Sequence, residues 1–328
     1  MRAITITEDH RLEPADVPEP VAAPGEVLVD VVASGVNRAD VLQAAGNYPV
    51  PPGASELPGL EISGHRRDTG EAVVGLLAGG GYAETVAVPE AQLLPAPEGL
   101  SLVDAAGVVE VAATVVSNLV LEAGMREEET VLVQGGTGGI GTAAIQLARH
   151  LGARVLTTVG SDDALPHVRE LGADMAWNRR TTDLLEAVRE TGGADVILDV
   201  VGGSALADHV AMLREGGRLV IIGTFGGASG ELPIGMLMGK RARVIGTTLR
   251  SRPVENKRAI LEATRYLVWP MLAAGELRVP IQARLPLERA ADAHAILREG
   301  GHLGKVILEV AVPADGAGHG RRRRGPAT

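Results

Sequence analysis

The stretch Glu129-Thr-Val-Leu-Val-Gln-Gly-Gly-Thr-Gly-Gly-Ile-Gly-Thr-Ala-Ala-Ile-Gln-Leu-Ala148 decides the fold of this chain. Its apolar run Val131–Val133 is typical of a strand that is buried on both faces. A turn dense in glycine follows, and apolar residues then recur at helical spacing over Ile140–Leu151. The sequence therefore predicts a buried strand, a glycine turn and a helix, in that order.

The turn contains Gly136-Thr-Gly138-Gly-Ile-Gly141, which matches the pattern G-x-G-x-x-G. In that pattern the first glycine makes a tight turn, the second lets a pyrophosphate approach the backbone, and the third lets helix and strand pack closely. The free N–H groups and the positive dipole end of the helix then suit phosphates. Glycine is common here, with 43 of 328 residues, but the flanking strand and helix favour a dinucleotide site over a chance match. The residues predicted to line it are Gly135, Gly136, Thr137, Gly138, Gly139, Ile140 and Gly141.

The composition bounds the classes of function. A length of 328 residues suggests about two domains, and 45% hydrophobic residues are enough for real cores. The net charge of −10 and the 2% aromatic content weigh against nucleic acid and anionic membrane as partners. The chain has no Cys, which excludes disulfides, thiolate catalysis and cysteine-ligated zinc. No signal-peptide pattern follows Met1 and no apolar run of membrane-spanning length is apparent, so we expect a cytoplasmic protein.

The chain divides into four predicted parts. Residues 1–120 are rich in strands, such as Arg2–Ile6 and Glu26–Ser34. Residues 121–253 alternate strand and helix, which predicts an α/β unit with a doubly wound parallel sheet. Residues 254–310 contain two helices, Val254–Ala274 and Leu287–Leu297, and a closing strand that returns to the first domain, and residues 311–328 form a disordered Arg-rich tail. The predicted strands of the middle part are Val131–Val133, Arg154–Val159, Met175–Trp177, Val196–Asp199, Arg218–Ile222 and Arg243–Thr247, with helices Ile140–Leu151, Asp163–Leu171, Asp183–Arg189 and Ser204–Leu213 between them.

Several further motifs make the chain resemble a known family over about residues 1–310. These motifs are Gly35-Val-Asn-Arg-Ala-Asp40, Gly46-Asn-Tyr-Pro49, Gly59-Leu-Glu-Ile-Ser-Gly64, Gly79-Gly-Gly-Tyr-Ala-Glu84, Leu171-Gly-Ala-Asp174, Asp199-Val-Val-Gly-Gly203, Leu249-Arg-Ser-Arg252 and Gly304-Lys305. Together with the glycine turn they resemble the zinc-independent quinone oxidoreductase (zeta-crystallin-like) branch of the medium-chain dehydrogenase/reductase superfamily. The resemblance implies a GroES-like β-barrel catalytic domain that is interrupted by a Rossmann domain. It also implies a homodimer, which we expect to form through the edge strand Arg243–Thr247 because an uncovered apolar edge invites pairing.

The chain departs at two places from the sequences of the relatives that it resembles. Zinc-dependent relatives carry Gly-His-Glu where this chain has Gly59-Leu60-Glu61, and Leu60 cannot bind a metal, so we expect no metal. The segment His65–Glu71 is shorter than the hairpin that the family has there, so we expect a trimmed or less stable barrel at that point.

The residue after the second Rossmann strand selects the nicotinamide cofactor. An acid there favours NAD, because it accepts hydrogen bonds from the ribose and repels a 2′-phosphate. This chain has Gly160 and Ser161 instead, which leave room for the phosphate. The family's Lys is absent, but Asn178 and Arg179 or Arg180 can lie against the adenosine ribose, and arginine suits phosphate. We therefore expect NADPH, with NADH as the alternative.

The resemblance also implies the remaining site residues. Asn37 and Tyr48 lie near the nicotinamide and the substrate, and Tyr48 either hydrogen-bonds the acceptor carbonyl or anchors its own loop. The loop Gly223-Thr224-Phe225 covers the nicotinamide. Arg250 touches the cofactor or the dimer partner, unless it forms a surface ion pair. The run Met236–Met238 is expected in the core or in a subunit contact, with a substrate pocket as the less favoured alternative.

The function implied is an NADPH:quinone oxidoreductase that acts on a small-molecule electron acceptor without zinc. A quinone is readily protonated after hydride transfer, so no strong general acid is obligatory, and none stands out in the sequence. An enone or enoyl-thioester reductase of the same superfamily and a non-catalytic NADPH-binding protein remain open as alternatives.

Overall fold

Residues 1–310, the part that this computed structural model describes, are organised around two large β-sheets. The predicted tail at residues 311–328 lies outside the described residues. The strands are β1 (Arg2–Ile6), β2 (Leu12–Asp16), β3 (Glu26–Val36), β4 (Glu61–Arg66), β5 (Ala72–Leu76), β6 (Thr85–Pro89), β7 (Leu93–Pro95), β8 (Thr130–Val133), β9 (Arg154–Val159), β10 (Met175–Asn178), β11 (Ala194–Asp199), β12 (Leu213–Ile221), β13 (Arg243–Gly246), β14 (Ile281–Pro286) and β15 (Lys305–Glu309). The α-helices are α1 (Arg38–Ala44), α2 (Leu102–Ala105), α3 (Val109–Val115), α4 (Gly139–His150), α5 (Leu165–Glu170), α6 (Leu184–Glu190), α7 (Leu206–Met212), α8 (Ile234–Gly239), α9 (Val254–Ala274) and α10 (Ala290–Glu299).

The six-stranded sheet is parallel throughout and has the order β10-β9-β8-β11-β12-β13. Its central strand β8 is the predicted apolar run, and it is buried because both faces of the sheet are covered by helices. The strand order reverses between β8 and β11, and ligands of such sheets bind at this switch point, beyond the carboxyl ends of the strands. The predicted doubly wound Rossmann fold is confirmed.

The seven-stranded sheet belongs to the GroES-like barrel, and the end of the chain completes it. Strand β15 pairs antiparallel with β3, with Val306 opposite Val36, and parallel with the unpredicted strand β14. The predicted return of the chain to the first domain is therefore present. Helix α9 contributes Ile260 to a cluster with Val74 of the barrel and Met271 to the Rossmann core, so the boundary predicted at residue 254 stays a prediction.

The short segment between β4 and β5 does not disturb the barrel. His65 pairs with Ala72 in a regular antiparallel ladder, and the Arg66 N–H donates to the Glu71 carbonyl at 2.9 Å. The expected trimming is therefore confined to the turn, and the sheet continues on both sides of it.

The helical stretch Leu102–Glu122 corrects one expectation. It is long and apolar enough to cross a membrane by length and composition, although no run of that kind was expected. Within the protein 78% of that stretch is buried, and α3 packs against α4 and α9, as in the core helix of a globular protein. Instead of one regular helix over Val109–Ala123, the chain forms α3 and then a π-helical segment, Val116–Glu122. The cytoplasmic location stays a prediction.

The apolar run at Met236–Met238 is divided: Leu237 packs against a core cluster of the parallel sheet, whereas Met236 and Met238 lie on the surface. It forms α8, an unpredicted helix in which Met238 is 71% exposed and Ile234 is also exposed. Helix α8 directly precedes β13, the edge strand of the parallel sheet. We propose that two copies of the chain pair along β13 and cover α8, because an uncovered edge strand beside exposed apolar side chains favours association.

Light scattering at micromolar concentration should therefore give the mass of a dimer. The substitution Met238→Glu should shift the mass toward that of a monomer, because the dimer interface would have to bury a carboxylate that the monomer leaves in water. Val21→Glu, at a side chain that is 89% exposed in the barrel domain, is the control and should leave the dimer intact. A monomer mass for the wild-type chain would contradict the proposal.

Candidate functional site

A buried ion pair lies where the barrel meets the Rossmann domain. The Lys305 ammonium on β15 lies 2.7 Å from Oε1 of Glu61 on β4, and both side chains are buried. Asn37, which caps α1, donates from Nδ2 to the same Glu61 oxygen at 3.0 Å and accepts from Lys305 through Oδ1. Asn37 is therefore held rigidly by both members of the pair.

The glycine turn has the shape that a pyrophosphate requires. A side chain at Gly136 would collide with the Thr157 hydroxyl, and one at Gly141 would collide with the Gly135 carbonyl oxygen. In contrast, a Cβ at Gly138 would meet no atom within 4 Å. The first and third glycines are therefore required by packing, and the second faces open space at the N-terminus of α4. This arrangement fits a dinucleotide phosphate.

The closing strand brings the glycine turn and the barrel residues together. The Gly304 N–H donates to the Thr137 carbonyl at 2.7 Å, and the stem of Lys305 packs against Gly139. The side chain of Lys305 then continues to Asn37. The structure therefore brings the predicted cofactor loop and the predicted catalytic Asn37 together on the two sides of Lys305, and we call the space between the two domains there the cleft.

A buried polar chain, which sequence reasoning missed, supports the glycine turn from behind. The Gly135 N–H donates to the Thr158 hydroxyl at 3.1 Å, and that hydroxyl donates to Oε1 of Gln134 at 2.7 Å. The Gln134 amide lies 3.0 Å from Nε2 of His209, whose Nδ1 lies 3.1 Å from the Asp199 carboxylate. This chain fixes the start of the turn relative to β9 and β11. No local pattern signals it, because its members come from separate strands and a helix.

The residues predicted to bind the adenosine ribose lie together at the ends of β9 and β10. The Arg179 guanidinium lies 3.2 Å from the position that a Cβ on Gly160 would occupy, and no ion pair involves it within residues 1–310. The Asn178 amide donates to Asp162 at 2.9 Å, which keeps that carboxylate occupied. Ser161 is exposed beside them. The group presents an arginine and a hydroxyl to solvent.

The loop Gly223-Thr224-Phe225 borders the same cleft. Gly223 packs against the backbone of Val200, while Phe225 is exposed. The Phe225 ring lies 5.0 Å from the guanidinium of Arg38 on α1, so the loop reaches from the Rossmann sheet to the barrel. Its role in covering a nicotinamide stays a prediction.

Arg250 is buried and not part of a surface ion pair, so that alternative was wrong. Its Nε donates to the Ala78 carbonyl at 2.8 Å and its Nη2 donates to Oε1 of Gln43 at 2.7 Å. Its guanidinium also lies 5.3 Å from the centre of the Tyr48 ring. Burial raises the pKa of Tyr48, so its hydroxyl stays protonated at neutral pH and can donate a hydrogen bond.

Three carboxyl groups, those of Asp40, Glu61 and Glu110, lie near the single buried ammonium of Lys305 on the barrel side of the cleft. Burial raises the pKa of Asp40 to about 6 and that of Glu110 to about 7, although the Lys305 charge opposes both shifts. Glu110 lies in the first turn of α3 and donates its N–H to Glu61 at 2.9 Å. Its side chain is half-buried, and its Oε1 accepts a hydrogen bond from the Thr114 hydroxyl at 3.3 Å. Sequence reasoning did not select Glu110, because a single glutamate at the start of a helix carries no distinctive pattern.

Comparisons with known proteins identify the family. A family model described as "Alcohol dehydrogenase GroES-like domain" matches residues 23–98, and one described as "Zinc-binding dehydrogenase" matches residues 139–264. The quinone oxidoreductase of Mus musculus is 30% identical over 94% of this chain and 97% of its own length. The chain belongs to the quinone oxidoreductase branch of the medium-chain dehydrogenase/reductase superfamily.

Two other similar proteins are a quinone oxidoreductase of known structure and a much longer acid synthase. The quinone oxidoreductase of Thermus thermophilus, whose structures include a complex with NADPH, superposes with a TM-score of 0.80 at 34% identity, covering 94% of this chain and 100% of that one. The phthioceranic/hydroxyphthioceranic acid synthase of Mycobacterium tuberculosis is 32% identical over 94% of this chain, which matches 15% of that much longer protein.

Zinc does not fit the residues of this cleft, although one matching family model is described as zinc-binding. Leu60 is a buried apolar side chain, and both oxygens of Glu61 already accept hydrogen bonds. Within residues 1–310 no three His, Cys, Asp or Glu side chains are grouped as metal ligands would be.

A substitution at Gly138 tests whether the glycine turn binds the dinucleotide. Gly138→Val should abolish binding of NADPH and NADH, because the new side chain fills the open space at the turn, whereas the thermal midpoint should stay near that of the wild type. We expect affinity to fall by about two orders of magnitude or more, or roughly 3 kcal/mol. Fluorescence titration measures this. Gly141→Val is the contrasting variant and should fail to fold, because its Cβ collides with backbone. Unchanged affinity in Gly138→Val would remove the site from this turn.

Proposed function

We propose that the protein is an NADPH-dependent oxidoreductase that transfers hydride to a quinone or a similar activated carbonyl acceptor, without a metal. The observation that carries the proposal is the contact of the closing strand with both sides: Gly304 hydrogen-bonds Thr137 of the glycine turn, whose Gly138 faces open space, and Lys305 holds Asn37 of the barrel. The similarity to quinone oxidoreductases, one of them crystallised with NADPH, supports the choice of cofactor and acceptor.

The chain offers a distinct set of groups to each part of the cofactor. The N–H groups at the start of α4, beside Gly138, would hold the pyrophosphate. Arg179 and Ser161 would hold the 2′-phosphate, since a guanidinium donates two parallel hydrogen bonds to such a group. When bound, the nicotinamide supplies the hydride. NADH stays the alternative, because Asp163 lies near the same loop and would repel the phosphate.

The barrel residues would orient the acceptor and balance its charge. Reduction of a quinone to a hydroquinone takes up one hydride and one proton. The Tyr48 hydroxyl, protonated at neutral pH, donates a hydrogen bond to the acceptor carbonyl. Glu110, whose pKa is raised to about 7, holds a proton near the cleft that the reduced acceptor can take up. Asn37 is fixed by Lys305 and Glu61 and provides a rigid polar wall.

A second candidate function is the reduction of an enoyl thioester. The similarity to a segment of the mycobacterial acid synthase favours it, because a synthase of acids handles acyl groups rather than quinones. Hydride transfer to an activated double bond uses the same cofactor geometry. The two candidates differ in the acceptor, which a substrate panel separates.

Steady-state oxidation of NADPH against quinones, enones and enoyl thioesters tests the proposal. We expect turnover with quinones that survives prior treatment with a chelator, because the cleft of the described residues offers no zinc ligand set. Turnover of enoyl thioesters alone would select the second candidate. Absence of turnover with every acceptor, or loss of activity on chelation that zinc restores, would refute the proposal.

The ratio of kcat/KM for NADPH over NADH tests the 2′-phosphate site. The wild type should prefer NADPH, and Arg179→Met should lower the ratio by about one to two powers of ten, since a charged hydrogen bond contributes roughly 1.5–3 kcal/mol. Arg180→Met is the matched control and should change the ratio less. A wild-type ratio below one that Arg179→Met leaves unchanged would show that this loop does not bind the phosphate.

A further inference from the structure

Two cations, Lys257 and Arg250, are buried without an anionic partner among residues 1–310. Lys257, in the first turns of α9, is 3% exposed, and its ammonium has no hydrogen-bond or ion-pair partner within residues 1–310. Arg250 is 5% exposed, and its Nη1 is buried without a partner among the same residues. Its other two nitrogens donate only to neutral oxygens, those of Ala78 and Gln43.

This arrangement opposes folding. Burial, together with repulsion from Arg250, lowers the pKa of Lys257 to about 8. Burial also lowers the pKa of Arg250, although Asp40, Tyr48 and Glu56 act on it in the opposite direction. None of these three forms an ion pair with it: the Asp40 carboxylate accepts from the backbone of Asn37 and Gly59. Buried charges are normally paired, so two that are unpaired indicate a missing anion.

The two cations lie next to the proposed acceptor site. The Arg250 guanidinium lies 5.3 Å from the centre of the Tyr48 ring, and Tyr48 is the residue proposed to meet the acceptor carbonyl. Lys257 is buried within one helical turn of the start of α9, the helix that follows Arg250 in the chain, and the Arg250 charge contributes to lowering the pKa of Lys257. An anion bound by both would therefore be attached to a molecule that also reaches Tyr48.

We propose that Arg250 and Lys257 form a binding site for a carboxylate carried by the acceptor, so that the preferred acceptor is an acidic quinone or enone. The inference rests on the proposed function and names the substrate class of the same site. The free Nη1 of Arg250 and the ammonium of Lys257 donate to the carboxylate, while Tyr48 donates to the carbonyl that is reduced. The bound anion neutralises the two buried charges, which have no anionic partner within residues 1–310.

A matched pair of acceptors tests this site: a naphthoquinone with a propanoate side chain, and its methyl ester. The quantity compared between variants is the ratio of kcat/KM for the acid over that for the ester. Any difference in reduction potential between the two acceptors is the same for every variant and cancels in this comparison. We expect the wild type to prefer the acid, and Lys257→Met and Arg250→Lys each to lower the ratio by about tenfold or more, as loss of a charged hydrogen bond does. Arg258→Met changes the neighbouring exposed cation and should leave the ratio unchanged.

The pH dependence and the stability distinguish a binding role from a structural one. Below its folded pKa Lys257 is charged, so the acid/ester ratio should fall as pH rises through about 8, and Lys257→Met should lack this fall. The unpaired charge of Lys257 lowers the stability of the fold most at pH values below its folded pKa. This destabilisation disappears as the pH rises toward the pKa that Lys257 has in the unfolded chain. Lys257→Met should therefore raise the thermal midpoint at pH 7 and raise it less at higher pH, whereas loss of a structural lysine would lower it.

Several results would overturn the proposal, and each is separable from failure of the proposed function. An acid/ester ratio that Lys257→Met leaves unchanged would overturn it directly. If that variant instead weakens NADPH binding, the anion belongs to the cofactor, and if it changes the oligomeric mass, the anion belongs to a second copy. If the wild type reduces neither acceptor, the affinities of naphthoate and naphthamide can still be compared by calorimetry. Equal affinities for the two would contradict the carboxylate site.

Discussion

The buried ion pair between Lys305 and Glu61 is the constraint on which the rest of the site depends. Both side chains are removed from water, and two further acids, Asp40 and Glu110, lie in the field of the same ammonium. Burying charge is costly, and removing one partner of such a pair typically costs about 3–5 kcal/mol because the other is left uncompensated. The closing strand β15 therefore has one favourable register, the one that delivers Lys305 to Glu61.

That register assembles the cleft from distant parts of the chain. The same strand end that carries Lys305 hydrogen-bonds the glycine turn through Gly304, and the ammonium positions Asn37. The Rossmann domain supplies an open phosphate cradle, and the barrel supplies a polar wall with donors and proton-holding acids. The proposed hydride transfer needs both at one place, so the ion pair would link folding of the barrel to assembly of the proposed site.

Local patterns predicted much of the fold. The bounds of β9 and α9 match their predictions, because apolar periodicity and glycine turns act within a few residues. The glycine motif was predictable from its own residues and their flanking strand and helix, and the family resemblance led us to expect an arginine at Gly160, where Arg179 lies. The exposed helix α8 was missed, because an apolar run alone does not show which surface it covers. The partners of Lys305 were missed as well, because Asn37, Glu61 and Lys305 are far apart in sequence and only the folded sheet brings them together.

The most direct test of this account is a double-mutant cycle on the ion pair, measured as the free energy of urea unfolding. Lys305→Met and Glu61→Gln should each destabilise the fold by about 3 kcal/mol. The double variant should lose less than the sum of the two by about 2 kcal/mol, because neither charge is then left alone. Lys305→Met should also weaken NADPH binding. Additive effects of the two substitutions, or a Lys305→Met variant as stable as the wild type, would contradict the central role of this pair.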